Sequence, residues 1–220
     1  MPRNPLEIQQ SLNSVLRFRR TLAVLLCVAS RRVAHPIWKS AARPSTFCVQ
    51  FPHVSATERS AFRSDCSPLV PYYASDISIG AEEVAEVQEW YDLSASCSSE
   101  SQQRIDKGAH FLNRAMNADD IEAFINYFVA LDALFGERGS VEASILSGVQ
   151  AVQAREDLQE KAPWLFDLRN ELVHGGSRYI SEWPKYTRYV QHFRTKPEVD
   201  IATLAQVAVL SAPKVLGAGK

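Results

Sequence analysis

The residue types best suited to chemistry lie together in one short segment of the chain. Residues 168–176 read Leu-Arg-Asn-Glu-Leu-Val-His-Gly-Gly. Arg169 carries a permanent positive charge and can hold a phosphate group through two parallel hydrogen bonds. His174 belongs to the residue type that gains and loses protons near neutral pH. Because these two groups can together bind a phosphodiester and move protons on it, this segment is the first candidate for a catalytic site.

The spacing within this segment favours a site built from two chains. On a helix, Asn170 and His174 share one face, where Asn170 can orient the imidazole ring. Arg169 precedes His174 by five residues, which places it about 140° away around the helix axis. One helix therefore does not direct both groups at one point, whereas two copies facing each other would. The alternative is that these polar residues only complement a helix end or pair with a neighbouring acid.

Length and composition are those of one substantial globular domain with an appendage. The 220 residues are 46% hydrophobic and 22% charged, with a net charge of −1. Residues 1–65 carry ten Arg and Lys against three Asp and Glu, while residues 66–220 carry fourteen against twenty-two. We therefore expect a basic N-terminal extension over 1–65 and an acidic domain over 66–220.

The cysteines and histidines lack the spacing of a metal site. The cysteines are Cys27, Cys48, Cys66 and Cys97, and the histidines are His35, His53, His110, His174 and His192. We expect free thiols, no metal, no cofactor and a cytoplasmic location. The apolar run over 22–29 is far shorter than the roughly 20 residues that cross a bilayer, so no membrane association is expected. Its arginine-rich flanks also fit a signal or transit peptide, and we favour a short helix.

From residue 80 onward the apolar pattern predicts helices and no strand, and therefore an all-α helical bundle. The clearest helix begins at Asp119 and Asp120, where acids suit the positive end of the helix dipole, and continues through Phe135. The predicted helices are 81–93, 104–117, 119–135, 140–153, 155–173, 181–194 and 199–216. A polar linker is predicted over 94–103, and Pro163 is expected to kink or divide the fifth helix.

Residues 1–65 give a less regular pattern. A helix is predicted over 6–33, after which prolines and serines favour loops. Residues 47–54 and 70–79 are rich in aromatic and β-branched side chains and are predicted as two short edge strands. We therefore expect this extension to be poorly structured or partly extended.

Two segments, taken together, resemble a known family. Residues 124–137 read Phe-Ile-Asn-Tyr-Phe-Val-Ala-Leu-Asp-Ala-Leu-Phe-Gly-Glu, and the Arg-Asn-x3-His-Gly segment follows some thirty residues later. In this order and spacing they resemble the HEPN superfamily, and within it the Apea-like group. The resemblance covers roughly residues 80–215. It implies an up-and-down helical bundle that forms a homodimer through the motif-bearing helices.

The resemblance also implies a function, since many relatives are metal-independent endoribonucleases of toxin–antitoxin and antiviral defence systems. Arg169, Asn170 and His174 match the family motif residue by residue. One imidazole of the dimer would take the 2′-hydroxyl proton, the other would protonate the leaving 5′-oxygen, and the arginines would hold the phosphate. The products would be a 2′,3′-cyclic phosphate and a 5′-hydroxyl. A cognate antitoxin or regulatory protein would be a further partner.

One departure from the family concerns a subgroup with a modifiable tyrosine two residues after the histidine. Here that position is Gly176, so regulation through such a tyrosine is not expected.

The segment after the motif offers a candidate RNA track. Its cations are Arg178, Lys185, Arg188 and His192, and aromatic residues alternate with them. Cations can follow an RNA backbone and exposed aromatic rings can stack on bases. The alternative is that the aromatic residues form core and the cations a solvated face. Separately, Asp132 is an acid among apolar neighbours and is expected to form a buried pair with Arg169 or another arginine.

Two functions therefore stay open at this point. The first is a dimeric endoribonuclease with RNA as its substrate. The second is a non-catalytic HEPN module that binds RNA or nucleotide, or that serves as a scaffold for a partner protein.

Overall fold

The structure is a computed structural model that describes residues 5–30, 47–50, 62–65, 78–152 and 157–217. Its elements, in chain order, are α1 (Pro5–Ser30), β1 (Phe47–Gln50), β2 (Phe62–Asp65), α2 (Ala81–Ser96), α3 (Ser99–Met116), α4 (Asp120–Phe135), α5 (Val141–Val152), α6 (Leu158–Val173), α7 (Tyr186–Phe193) and α8 (Pro197–Gly217). The 3₁₀ turn Ile180–Glu182 lies between α6 and α7. The predicted all-α class is confirmed, and the described residues after 80 contain no strand.

The core is built from the helical faces that the apolar spacing predicts. On α3, the fully buried apolar side chains are Ile105, Ala109 and Leu112. On α4, Phe124, Leu131 and Leu134 are each at most 1% exposed. Each such Leu, Ile or Phe contributes about 1.5–3 kcal/mol when it leaves water, so these two helices form the centre of the bundle.

Helix α1 belongs to the same core. Its residues Ala23, Val24 and Cys27 are fully buried and lie in one cluster with side chains of α3 and α8. The sequence treats residues 1–65 as an appendage and does not anticipate this packing. The boundary at residue 65 itself stays a prediction, and residues 31–33 of the predicted helix lie outside the described residues.

The predicted polar linker over 94–103 is wrong, because the chain leaves helix only at Cys97 and Ser98. The serines and glutamines that suggested a loop instead join the two helices. Ser98 Oγ accepts the Ser101 N–H at 3.1 Å and caps α3. Gln102 Nε2 donates to the carbonyl oxygens of Ala95 and Cys97 at 3.0 and 2.9 Å.

The predicted helix over 181–194 is also wrong in its first part. Pro184 follows the 3₁₀ turn, and α7 begins only at Tyr186. A proline has no N–H to continue the hydrogen-bond ladder, which accounts for the interruption. Pro163, by contrast, lies inside α6 without dividing it.

The two strands form an antiparallel pair in which Phe47 lies opposite Asp65. The first predicted strand is confirmed over 47–50, and its partner at 62–65 was not predicted. Residues 51–54 and 70–77, which complete the two predicted strands, lie outside the described residues.

Helix α8 is long and apolar enough to cross a membrane by length and composition, and half of its most apolar window is buried inside the fold. Its residues Ile201, Ala205 and Val209 are at most 1% exposed and pack in the core cluster. The core helix of a bundle satisfies the same criterion of length and composition, so this criterion alone does not assign α8 to a membrane.

We predict that Gly108→Ala lowers the free energy of unfolding. A Cβ at this position in α3 would lie 2.7 Å from Leu134 Cδ2 and Cγ on α4. Because Leu134 is fully buried and cannot move aside, the overpacking should cost about 1–3 kcal/mol, more than the helix propensity of alanine returns. Urea denaturation followed by circular dichroism measures this.

The matched comparison is Gly108→Ala in a Leu134→Ala background, where the clash is removed. There the glycine substitution should be neutral or stabilising. An equal loss in both backgrounds would contradict the close approach of α3 and α4.

Candidate functional site

The motif segment ends helix α6 through a defined hydrogen-bond pattern. The Gly175 N–H donates to the Leu172 carbonyl oxygen at 3.1 Å, and the Gly176 N–H donates to the Glu171 carbonyl oxygen at 2.9 Å. These two bonds form a Schellman motif, which requires a left-handed residue that is usually glycine. Gly175 supplies it with φ of +73°. The two glycines thereby fix His174 as the C-cap residue, directly after the last residue of the helix.

All three predicted catalytic residues reach the surface. His174 and Asn170 are exposed, and Arg169 is half-buried. The His174 N–H donates to the Asn170 carbonyl oxygen at 3.0 Å, which holds its backbone and leaves the imidazole in solvent. A free imidazole at a surface is chemically competent as a proton carrier once a substrate or partner covers it.

Arg169 and Asn170 line a groove of about 150 Å³ between α4, α5 and α6. The apolar residues of this motif groove are Ile125, Phe128, Val129, Val141, Ile145, Phe166 and Val173. His174 does not line it. The structure therefore brings two of the three predicted residues together in one chain, and it leaves the third beside the groove.

Asn170 does not orient His174 as predicted. Asn170 Oδ1 instead accepts a hydrogen bond from Arg169 Nη1 at 3.1 Å. This bond joins two neighbouring residues of α6 that both line the motif groove. Within the described part of the chain, no side-chain hydrogen bond joins Asn170 to His174.

The expected burial of Asp132 is wrong. Asp132 is exposed, lines the motif groove together with Arg169 and Glu142, and makes no ion pair with any described residue. The groove thus holds one guanidinium and two carboxylates within a single chain. With two carboxylates against one guanidinium, the groove of a single chain does not by itself attract a phosphate.

The four predicted RNA-binding cations are each engaged within the chain. Arg178 binds Glu182 at 2.7 Å, and this contact lowers the pKa of the Glu182 carboxyl. Lys185 binds Asp167 at 2.9 Å. Arg188 lies over the Trp164 ring with its Cζ 5.4 Å from the centroid. His192 contacts Glu160 and stacks on the same indole.

Apart from Tyr179, which is 56% exposed, the aromatic residues of this segment are buried or partly buried. Trp183 is 3% exposed and Tyr189 is fully buried, and both rings lie 6.2 Å from the Trp164 ring. Buried rings cannot stack on bases, so the alternative of core aromatics with solvated cations describes this segment better than an RNA track. The spacing along α7 had already separated the two sets of side chains.

A buried polar network joins α6, α7 and α8, and sequence reasoning missed it. Lys161 Nζ donates to Asp200 Oδ1 at 3.0 Å, and Tyr189 Oη donates to Asp200 Oδ2 at 2.7 Å. Lys161 also binds Asp157 at the helix start. Burial and the hydrogen bond to Asp200 raise the pKa of the Tyr189 hydroxyl. The signal in the sequence is Asp200 itself, an acid near the start of an otherwise apolar helix.

Tyr186, at the start of α7, faces a second carboxylate. Its hydroxyl donates to Glu198 Oε1 at 3.2 Å, and burial together with this acid raises the pKa of Tyr186 to about 12. The hydroxyl therefore stays protonated at neutral pH and serves as a donor. Among the described residues, no group of three or more His, Cys, Asp and Glu side chains is arranged to hold a metal ion.

Comparisons of the chain with models of protein families, with curated proteins and with solved structures found no match.

We predict that Asp200→Ala destabilises the fold by about 3–5 kcal/mol, because it removes the buried partner of the Lys161 ammonium and leaves it paired with the more exposed Asp157. Thermal and urea denaturation measure the loss. Glu89→Ala, which removes the partner of Lys214 in an exposed pair, is the control and should change stability by less than about 1 kcal/mol.

Pairing Asp200→Ala with Lys161→Met should recover part of the lost stability, since the buried charge is then gone. If the double variant is less stable than Asp200→Ala alone, the loss has another cause.

Proposed function

We propose that this protein is a HEPN-type endoribonuclease that acts as a homodimer and cleaves RNA without a metal ion. What supports the proposal is the position of Arg169 and His174 at one helix end, both accessible and next to an apolar groove. The rim of that groove carries Val141 and Val173, which are 41% and 53% exposed. Exposed apolar side chains beside polar residues are typical of a protein interface.

A second copy would supply what one chain lacks. Within one chain, His174 lies outside the groove that Arg169 lines. A two-fold axis through this face would set the Arg169 and His174 of one protomer against those of its partner, because an isologous interface repeats each residue on both sides. Two imidazoles and two guanidinium groups would then surround one phosphodiester.

In the proposed reaction, one His174 accepts the proton of the 2′-hydroxyl, whose oxygen attacks the adjacent phosphorus. The bond from phosphorus to the 5′-oxygen breaks, and the second His174 donates the proton that the leaving oxygen needs. Arg169 stabilises the charge on the phosphate oxygens in the transition state. The products are a 2′,3′-cyclic phosphate and a 5′-hydroxyl.

A specific observation favours a second candidate function. Asp132 and Glu142 line the same groove as Arg169 and repel a phosphate that approaches a single chain. The groove then suits a basic segment of a partner protein, and the chain would be a non-catalytic HEPN module or scaffold. Its place in antiviral defence or a toxin system, a cognate antitoxin and a cytoplasmic location stay predictions for either function.

We predict that the wild-type protein cleaves labelled single-stranded RNA in the presence of EDTA. His174→Ala and Arg169→Ala should each lower the rate by about 10²–10⁴-fold, because each removes a proton carrier or a charge stabiliser. Arg104→Ala is the matched control, since Arg104 pairs with Glu100 on the surface of α3 away from the motif groove. Gel analysis of the fragment ends measures rate and chemistry together.

Cleavage at equal rates in all four proteins would show a contaminating nuclease or another site. If the wild-type protein does not cleave RNA but a basic peptide binds to it and Asp132→Asn weakens that binding, the second candidate function replaces the first.

We predict that Val173→Asp shifts the protein from dimer to monomer, because it places a charge in the apolar rim of the interface. Sedimentation equilibrium at micromolar concentration measures the change. Val199→Asp is the control, since Val199 is 51% exposed but does not line the motif groove. Loss of cleavage together with the dimer would link assembly to activity, whereas a Val173→Asp variant that remains dimeric would exclude this face as the interface.

A further inference from the structure

A second cavity, of about 440 Å³, opens between helices α1 and α3. It is lined by Leu16, Arg17 and Arg20 from α1 and by Asp106, Lys107 and His110 from α3. Its volume lies in the range of pockets that enclose a whole small molecule. None of the predicted catalytic or RNA-binding residues lines it, so this α1–α3 cavity is separate from the motif groove.

The charge of the α1–α3 cavity is positive. Three cations line it against the single carboxylate of Asp106, which leaves two positive charges in excess. Arg17 and Lys107 are exposed, and neither makes an ion pair with a described residue. Because no acid among the described residues pairs with these two cations, which lie on facing helices, both can bind a ligand.

Arg20 is held in place within the cavity wall. It pairs with Asp106, its Nε donates to Tyr91 Oη at 3.3 Å, and its Cζ lies 4.9 Å from the centroid of the Tyr91 ring. Its side chain is only 14% exposed. Three contacts fix the guanidinium before any ligand arrives, which lowers the entropic cost of binding an oxyanion.

His110 contributes an imidazole ring to the wall of the same cavity. Its Nδ1 is buried and has no hydrogen-bond partner, whereas most buried polar atoms in proteins have one. Burial and the positive charges of Arg114 and Arg19 lower the pKa of His110, so the ring is neutral at pH 7. A neutral ring offers one hydrogen-bond donor and one acceptor.

We propose that the α1–α3 cavity binds a small phosphomonoester of nucleotide size. A phosphomonoester carries a charge of about −1.5 to −2 at neutral pH, which matches the two excess positive charges. Arg17, Arg20 and Lys107 bind its phosphate, and His110 hydrogen-bonds a hydroxyl or ring nitrogen of the remaining part. The cavity is larger than a phosphate group requires, and this favours an organic phosphate over the free ion.

A small ligand fits these cations better than an RNA strand does. Proteins that hold a strand place cations along a continuous surface several nucleotides long. Here Arg17, Arg20 and Lys107 lie together in one recess, and the four cations of the candidate RNA track are engaged by acids and by Trp164.

The test is isothermal titration calorimetry of the full chain with adenosine 5′-monophosphate, with ribose 5-phosphate, inorganic phosphate, adenosine and a single-stranded RNA decamer as further probes. We expect adenosine 5′-monophosphate to bind, ribose 5-phosphate to compete with it, inorganic phosphate to compete weakly and adenosine to fail. Arg17→Glu/Lys107→Glu should weaken binding by about a hundredfold or more, since each charged contact accounts for about tenfold. His110→Phe should weaken it by about tenfold while keeping the ring volume.

The matched control is Arg138→Glu/Lys196→Glu, which makes the same change of charge at two exposed cations outside the cavity. Circular dichroism shows whether each variant is folded. Three results would each overturn the proposal. The first is that the two double variants bind adenosine 5′-monophosphate with equal affinity, and the second is that adenosine binds as tightly as adenosine 5′-monophosphate. The third is that the RNA decamer binds and adenosine 5′-monophosphate does not. None of these results depends on RNA cleavage, so the proposed nuclease function stands or fails separately.

Discussion

The position of the motif depends on one buried ion pair. Lys161, on the helix that carries Arg169 and His174, donates to Asp200 near the start of α8, and Tyr189 completes the pair from α7. A buried carboxylate is tolerable only when its oxygens are bound, and here both are. Because charged hydrogen bonds fix geometry more narrowly than apolar contacts, this pair sets the distance and rotation of α6 against the rest of the bundle. The position of α6 in turn determines the shape of the motif groove.

Much of the helical framework could be predicted from the sequence, because the relevant physics is local. Ile105, Ala109, Leu112 and Met116 recur at helical steps, and all four are buried. The errors occurred where polar residues act through space. The serines and glutamines around Ser98 resemble a loop in composition, yet their side chains cap one helix and bind the end of another. The sequence does not predict the packing of α1, because the apolar face of an arginine-rich helix can be assigned to the core only when its partner helices are known.

The site was predictable to the same extent. The segment around His174 indicates a helix end, because two consecutive glycines favour the end of a helix, and α6 ends there. The partners of the basic residues could not be read from spacing. Lys185 and His192 are bound by Asp167 and Glu160, which lie one helix earlier in the chain. Only the tertiary fold shows that these cations are already compensated.

The end of α6 is also tied to the beginning of α4. After Gly176 the chain runs to Ile180, whose N–H donates to Asp120 Oδ1 at 2.8 Å, and Asp120 itself adopts a left-handed backbone with φ of +47°. A Cβ at position 176 would lie 2.2 Å from the Glu171 carboxylate. A larger side chain at 176 would therefore displace the Glu171 carboxylate, which is the far end of a flexible side chain, and break its hydrogen bond with the Ser177 hydroxyl.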